Sequence, residues 1–331
     1  MKFMNVKAVD GIIRMPKVVC GAASVLFNDT MDPKGAFTIL DRYIQLGGTA
    51  VDTAKMYGKL EDSDPPRSEI LIGKWIKERK NRKEIVLITK GCAPVVGKGI
   101  ARVSVENIHK DFTESLQALD VDYVDVYFMH RDDPQLPVSV IMDALDEHVK
   151  AGQIRALGAS NWTVARINEA NAYAVSQGKT PFTVSQIQWS MAYVTPEIWP
   201  DPTLVCMNET EYKGYLENKI PVMAFSSQAG GYFAKMAAGG EQLLSPKIKR
   251  RYDCEINRRR LEKLRAFCEK NNVSPAALCV AYITNNRLEG AAIIGSSKVA
   301  QMEESIPVSY THLFYASLGA VQGPAMDKRE D

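Results

Sequence analysis

Strand-like and helix-like segments alternate along the whole chain, and this alternation limits the folds that the chain can adopt. Eight short runs are rich in Val, Ile and aromatic residues. They are residues 17–22, 49–53, 85–90, 123–130, 154–160, 182–188, 220–226 and 290–295. Their nearly continuous apolar character is typical of parallel strands that are covered on both faces.

Amphipathic patterns separate these runs. In residues 104–119 the apolar side chains recur at helical spacing, and Ser104 is placed to cap the helix. Ser274-Pro275 marks the start of another helix, with the hydroxyl as cap and the proline at the first position. Further helices are predicted at 33–46, 67–80, 138–151, 163–177, 208–218, 257–271 and 298–305.

Eight strand–helix units in 331 residues predict a closed (β/α)8 TIM barrel. The alternative, an open doubly wound sheet, would need a GxGxxG turn after its first strand, and VVCGAASVLF at 18–27 does not supply one. Asp10-Gly11 lies between two alternating runs and predicts an N-terminal β-hairpin within residues 1–16, which could plug the bottom of the barrel. Because no low-complexity linker divides residues 1–331, we interpret them as one domain.

Composition argues against several other classes of protein. The net charge of +2 does not indicate the strongly basic surface that is typical of nucleic-acid-binding proteins. A run of about 18 apolar residues is absent, and the N-terminus lacks the apolar core of a signal peptide. The six cysteines form no CxxC pair, which favours thiols in a reducing cytoplasm. We therefore expect a cytoplasmic protein that binds neither membrane nor nucleic acid.

Three consecutive predicted strands end on ionisable residues. They end on Asp52, Lys90 and His130, and Tyr57 follows Asp52 by five positions. In a barrel of this kind the C-terminal ends of the strands carry the chemistry. A Lys ammonium about 4 Å from a phenol contributes roughly 4 kcal/mol at an effective dielectric of about 20, which would lower the phenol pKa by about three units. With His130 donating a hydrogen bond to a carbonyl oxygen, these groups predict an acid–base site for a carbonyl/alcohol pair.

The sequence GGTAVDTAKMYG at 47–58 resembles the DTAxxYG signature of the aldo-keto reductases. The resemblance covers roughly residues 7 to 305, in matching motif order. It continues through LITKG (87–91), HRDD (130–133), GASN (158–161), SQIQW (185–189), AFSSQAGG (224–231) and IIGSSKVAQMEES (293–305). It implies a TIM barrel that reduces aldehydes and ketones with NAD(P)H.

The resemblance also implies roles for individual residues. Tyr57 matches the general acid, Lys90 and Asp52 its tuning pair, and His130 the residue that orients the carbonyl. Phe225 matches the aromatic ring on which the nicotinamide stacks. The full set of expected cofactor-binding residues is Gly21, Ala22, Asp52, Ser160, Asn161, Gln186, Phe225, Ser226, Ser227, Gln228, Gly231, Ser297, Lys298, Gln301 and Glu304. The C-terminal tail, residues 306–331, is unlike the family's usual tail.

Cofactor and substrate are predicted more coarsely. Lys298 and the basic run 247–251 could meet a 2′-phosphate, which favours NADPH, with NADH as the alternative. The same run is otherwise typical of a solvated loop. Arg131 and Asp132 beside His130 would suit a small polar, sugar-like carbonyl substrate. The oligomeric state is not predicted.

Two other functions compete with carbonyl reduction. The chain could be a cofactor-binding regulatory subunit, since potassium-channel β subunits resemble this fold and keep the four residues. A different barrel enzyme could use Lys90 as a Schiff base or Asp52, His130 and Asp132 as metal ligands. Neither the Schiff base nor the metal site explains the DTAxxYG match.

Overall fold

The computed structural model describes residues 1–23, 33–95, 98–99, 101–199 and 201–306. The chain begins with a two-stranded antiparallel hairpin, β1 (Phe3–Ala8) and β2 (Gly11–Pro16). Eight parallel strands follow and form a closed barrel. They are β3 (Val18–Gly21), β4 (Ala50–Asp52), β5 (Val86–Gly91), β6 (Val124–Met129), β7 (Ile154–Ser160), β8 (Phe182–Gln188), β9 (Val222–Phe225) and β10 (Gly290–Ile294).

Helices cover the outside of the barrel. Those in the described ranges are α1 (Pro33–Gln45), α2 (Arg67–Arg79), α3 (Val105–Leu119), α4 (Val138–Lys150), α5 (Val164–Ser176), α6 (Glu209–Asn218), α7 (Tyr232–Ala238), α8 (Pro246–Tyr252), α9 (Glu255–Asn271), α10 (Pro275–Thr284) and α11 (Val299–Ser305). Ser104 caps α3 by accepting the Asn107 N–H at 3.1 Å. Ser274 caps α10 by accepting the Ala277 N–H at 3.1 Å. Both predicted helix starts are therefore confirmed.

The strand order confirms the TIM barrel and excludes the open sheet. Each strand pairs with the next one along the chain, and β10 pairs in parallel with β3, with Ala292 opposite Val18. Closure leaves the barrel without an edge strand, and all eight C-terminal strand ends lie at one rim.

The basic run 247–251 is helical rather than a loop. It lies in α8, where Ser245 accepts the Ile248 N–H and Pro246 takes the first position. The sequence KIKRRY has no apolar stripe, so periodicity gives no sign of this helix. Its Ser-Pro start is the same signal that identifies α10.

The hairpin plugs the bottom of the barrel, as its sequence predicts. Met4, Val6, Ile13 and Met15 are buried in one cluster with barrel residues such as Val126 and Val184. The Val9 N–H donates to the carbonyl of Arg155, near the start of β7. Alternation along β2 places Ile13 in this cluster and leaves Ile12 outside at 55% exposure.

The atypical C-terminal tail from Pro307 onward lies outside the described residues. Among residues 1–306, leaving out the gaps given above, no helix combines the length and apolarity needed to cross a membrane.

Two neighbouring substitutions test the plug. Ile13→Ala removes a side chain that is 2% exposed, and we expect it to lower the free energy of unfolding by about 2–5 kcal/mol. Ile12→Ala is the matched control and should change it by no more than about 0.5 kcal/mol. Urea unfolding followed by circular dichroism measures both, and equal losses would contradict the assignment of the two faces.

Candidate active site

Three adjacent strand ends bring the predicted acid–base residues together. Asp52 ends β4, Lys90 is the penultimate residue of β5, and His130 follows the last residue of β6. The parallel register holds them at one rim, because Asp52 lies opposite Ile88 and Lys90 opposite Phe128. Tyr57 lies on the loop that follows β4.

Lys90 is the centre of the cluster. Its side chain is fully buried, and its Nζ donates to Asp52 Oδ2 at 2.7 Å, to the Thr53 carbonyl at 2.8 Å and to Tyr57 Oη at 3.3 Å. Burial alone would lower the pKa of Lys90, but Asp52 and Tyr57 outweigh it and raise the pKa above its ordinary value. The amine is therefore an ammonium with all three protons used, which does not suit a Schiff-base nucleophile.

Asp52 uses both carboxylate oxygens. Oδ2 accepts from Lys90, and Oδ1 accepts from Gln186 Nε2 at 3.0 Å. The amide of Gln186, on β8, therefore reaches across the rim to the same carboxylate that holds the ammonium. This contact connects the residues expected to bind the cofactor with the acid–base group.

The phenol of Tyr57 is held in its protonated form. Burial raises the pKa of Tyr57 above its ordinary value, and the nearby Lys90 ammonium only partly offsets this effect. Lys90 acts in the expected direction and lowers the phenol pKa, but desolvation outweighs this attraction, so the net shift is upward rather than downward. Near neutral pH the Tyr57 hydroxyl therefore keeps its proton.

His130 lies beside the phenol and is neutral. Its ring centroid is 5.8 Å from that of Tyr57, with the rings at 81°. Burial, assisted by the charges of Arg131 and Lys90, holds the pKa of His130 well below its ordinary value. Its Nδ1 is buried and has no hydrogen-bond partner among the described residues. A neutral imidazole with an unused polar atom is suited to contact a ligand.

A buried ion-pair cluster that the sequence analysis did not predict positions the Tyr57 segment. Lys55 Nζ pairs with Asp111 Oδ1 at 2.5 Å and also contacts Glu114. Asp111, on α3, further accepts from the Cys92 N–H at 2.8 Å and pairs with Arg102. Asp111 thus joins the loop that carries Tyr57 to the residues that follow Lys90. Its position on the buried face of α3, among apolar residues, is the one signal that could have identified it.

The residues expected at the nicotinamide end lie on consecutive strands. Ser160 ends β7 opposite Gln186 on β8, and Asn161 adopts a positive φ of 57°. The Asn161 side chain donates to Ser160 Oγ at 3.1 Å and accepts from the Val205 N–H. Gly21 ends β3, and a Cβ there would lie 2.7 Å from the Ile293 side chain, so only glycine fits. The Ala22 N–H donates to the Asp52 carbonyl at 2.8 Å.

The residues expected along the pyrophosphate follow β9. Phe225 ends the strand with a partly exposed ring, and Ser226 has a positive φ of 51°. Ser227 Oγ donates to the Ile293 carbonyl at 2.6 Å, and the Gln228 amide donates to Ser305 Oγ and to a backbone carbonyl of α10. Gly231 has a φ of 80°. Ser227 and Gln228 therefore hold the loop itself, and their side chains already have protein partners.

The residues expected at the adenosine end surround the start of α11. Ser297 Oγ and the Ser297 N–H both donate to Gln301 Oε1, at 3.2 Å and 3.0 Å. Lys298 precedes the helix and is exposed, and Glu304 lies exposed in its last turn. Lys298 is thus placed on the surface immediately beyond β10.

The two charged residues after His130 have protein partners. Arg131 pairs with Asp201 at 2.8 Å and donates to the His130 carbonyl at 2.6 Å. Asp132 pairs with Arg166 at 3.2 Å. The carboxylate of Asp132 is therefore used in an ion pair with Arg166. In the described part of the chain, no group of three or more His, Cys, Asp or Glu side chains is arranged to hold a metal ion.

These observations define a class of protein: a TIM barrel whose rim carries a protonated phenol, a buried ammonium and a neutral imidazole. A sequence model described as the Aldo/keto reductase family matches residues 17–320. The match extends over most of the chain, and the protein belongs to this family.

Curated relatives agree with the family assignment. A Saccharomyces cerevisiae protein named "Probable aryl-alcohol dehydrogenase AAD4" is 34% identical over 170 residues, 49% of this chain and 50% of that protein. The norsolorinic acid reductase of Aspergillus flavus is 27% identical over 83% of this chain and 67% of that protein. The uncharacterized oxidoreductase YrpG of Bacillus subtilis is 27% identical over 89% and 87%. The matched part of the chain spans about half the length of the yeast relative.

The neutral state of His130 predicts a pH dependence of stability. Folded His130 stays neutral at pH values where an unfolded histidine, with a pKa of about 6.5, binds a proton. Its contribution to stability is therefore complete above about pH 6.5 and decreases as the pH falls, by up to about 1.4 kcal/mol per pH unit. Urea unfolding of the wild type and His130→Asn between pH 5 and 7.5 measures it. The wild type should lose more stability on acidification, and parallel curves would contradict the assignment.

Proposed function

We propose that this protein reduces an aldehyde or ketone to an alcohol, with a nicotinamide dinucleotide as the hydride donor and Tyr57 as the proton donor. One observation carries the proposal: Lys90 Nζ contacts Asp52 and Tyr57 Oη together, beside the ring of His130. A carbonyl that gains a hydride at carbon needs a proton at oxygen, and a phenol next to an ammonium can give one.

Each of the four residues has a distinct task in this proposal. Tyr57 holds the proton until the carbonyl oxygen becomes negative, because its pKa is raised. Lys90 then stabilises the resulting phenolate, since the ammonium is 3.3 Å from the phenolic oxygen and already desolvated. Asp52 keeps the ammonium in place and charged. His130 directs the carbonyl oxygen toward the phenol by a hydrogen bond from the neutral ring.

The residues at the rim fit a nicotinamide dinucleotide. Phe225 offers a partly exposed aromatic ring. Ser160, Asn161 and Gln186 offer amide and hydroxyl groups on and beside neighbouring strands. When bound, such a cofactor supplies a hydride to the carbonyl carbon. We favour NADPH because the exposed Lys298 lies just beyond β10, where it can meet a 2′-phosphate.

The substrate class and the location are also proposals. The names of the yeast and Aspergillus relatives mention an aryl alcohol and norsolorinic acid, which supports a small carbonyl compound, and we retain the expectation that it is polar. We propose the cytoplasm as the location because all six cysteines are free thiols.

Turnover of a panel of aromatic, aliphatic and sugar aldehydes with NADPH and with NADH tests the proposal. We expect NADPH oxidation with at least one aldehyde and a smaller kcat/KM with NADH. Tyr57→Phe should lower kcat by about 10²–10⁴-fold and leave NADPH affinity unchanged. Tyr123→Phe makes the same chemical change in the pocket at the opposite, hairpin end of the barrel and should keep full activity.

Two outcomes would contradict the proposed carbonyl reduction by Tyr57. Full activity of Tyr57→Phe would exclude the phenol as proton donor. NADPH binding without turnover of any carbonyl would favour the cofactor-binding regulatory subunit instead.

A further inference from the structure

Trp199 lies next to Phe225, the last residue of β9 and the aromatic expected to contact the cofactor. Its ring centroid is 6.3 Å from that of Phe225, with the rings at 82°. Asp201, two residues after Trp199, pairs with Arg131, and Arg131 directly follows His130. Because two residues span at most about 7 Å, Trp199, beside Phe225, is also close along the chain to the Asp201–Arg131 ion pair.

Arg251 stacks on Trp199. The guanidinium carbon is 3.8 Å from the centroid of the indole ring. Arg251 is half-buried in the last turn of α8, and its Nε is buried without a hydrogen-bond partner in the described part of the chain. Among the same residues, no carboxylate forms an ion pair with it.

The acidic side chains near Arg251 are used by other cations. Glu241 pairs with Lys249 and with Arg258, and Asp253 pairs with Arg258. Burial lowers the pKa of Arg251, and the charge of Arg250 acts in the same direction. A partly desolvated cation is normally balanced by an anion. Here the indole face supplies part of that stabilisation, and the N–H donors of the two terminal nitrogens have no hydrogen-bond partner among the described residues.

We propose that Arg251, stacked on Trp199, binds a carboxylate carried by the carbonyl substrate, so that the protein prefers anionic carbonyl compounds. This inference rests on the proposed carbonyl reduction. Trp199 is two residues before Asp201, which pairs with Arg131 beside His130, the residue proposed to hold the substrate carbonyl. An anion on Arg251 therefore belongs to the substrate side of the site. The planar guanidinium suits a carboxylate, which it can bind through two parallel hydrogen bonds.

Binding of two matched probes tests the inference. The probes are 4-carboxybenzaldehyde and its methyl ester, titrated by calorimetry into the protein saturated with NADP⁺, so that no reduction occurs. We expect the carboxylate to bind the wild type about 10- to 100-fold more tightly than the ester. Arg251→Gln should abolish this difference, and Arg251→Lys should restore only part of it.

Arg250→Gln is the matched control. It removes the same charge from the neighbouring position of α8, whose side chain is exposed, and it should leave the preference for the carboxylate unchanged. Equal binding of the two probes to the wild type would overturn the inference. An equal loss of the carboxylate preference in Arg250→Gln would also overturn it, because it would show a general attraction by the positive charges of α8 rather than a binding site at Arg251. A weaker NADPH affinity in Arg251→Gln with an intact carboxylate preference would assign Arg251 to the cofactor and also overturn it.

Turnover separates this inference from the proposed function. If the carboxylate probe binds through Arg251 but neither aldehyde is reduced by NADPH, the binding site stands and the proposed reaction fails. If both aldehydes are reduced with equal KM in the wild type and in Arg251→Gln, the reaction stands and the carboxylate site fails.

Discussion

The proposed chemistry depends on one buried ammonium. Lys90 lies at full burial in the rim of the barrel, a position that would ordinarily favour the neutral amine. Asp52, the Thr53 carbonyl and Tyr57 accept its three hydrogen bonds and keep it charged. The same three contacts fix the ammonium relative to the phenol and, through Asp52 and Gln186, relative to the strands expected to hold the cofactor. A substitution at any one of these residues is therefore expected to alter the position or the charge of the others.

The closed barrel makes this arrangement possible. Parallel strands place Asp52, Lys90 and His130 at one rim, and the hairpin fills the opposite end, so that the core carries no chemistry of its own. The loops then position further residues around the site. Lys55 and Asp111 hold the Tyr57 loop against α3, and Asp201 pairs with Arg131 beside His130. The strand ends thus provide Asp52, Lys90 and His130, while the loop after β4 adds Tyr57.

The sequence predicts the barrel, the hairpin and the grouping of the acid–base residues, because each depends on local pattern. Asp52, Lys90 and His130 stand out since each terminates an apolar strand. The contact of Gln186 with Asp52 joins residues 134 positions apart, and no local pattern indicates it. The charge of Lys90 lowers the pKa of Tyr57 as expected, but the larger, opposite effect of desolvation depends on burial that only the folded chain has. The helix α8 has no apolar stripe, so the stacking of Arg251 on Trp199 could not be anticipated.

A double-mutant cycle on Asp52 and Lys90 tests most directly whether the ammonium is the centre of the site. The measured quantity is kcat/KM for carbonyl reduction in Asp52→Asn, Lys90→Met and the double variant. If Asp52 acts by holding Lys90 charged and in place, the double variant should be no more than about threefold slower than Lys90→Met alone, because residues that act as a unit are not additive. Losses that multiply in the double variant would show that Asp52 and Lys90 act independently and would contradict this account.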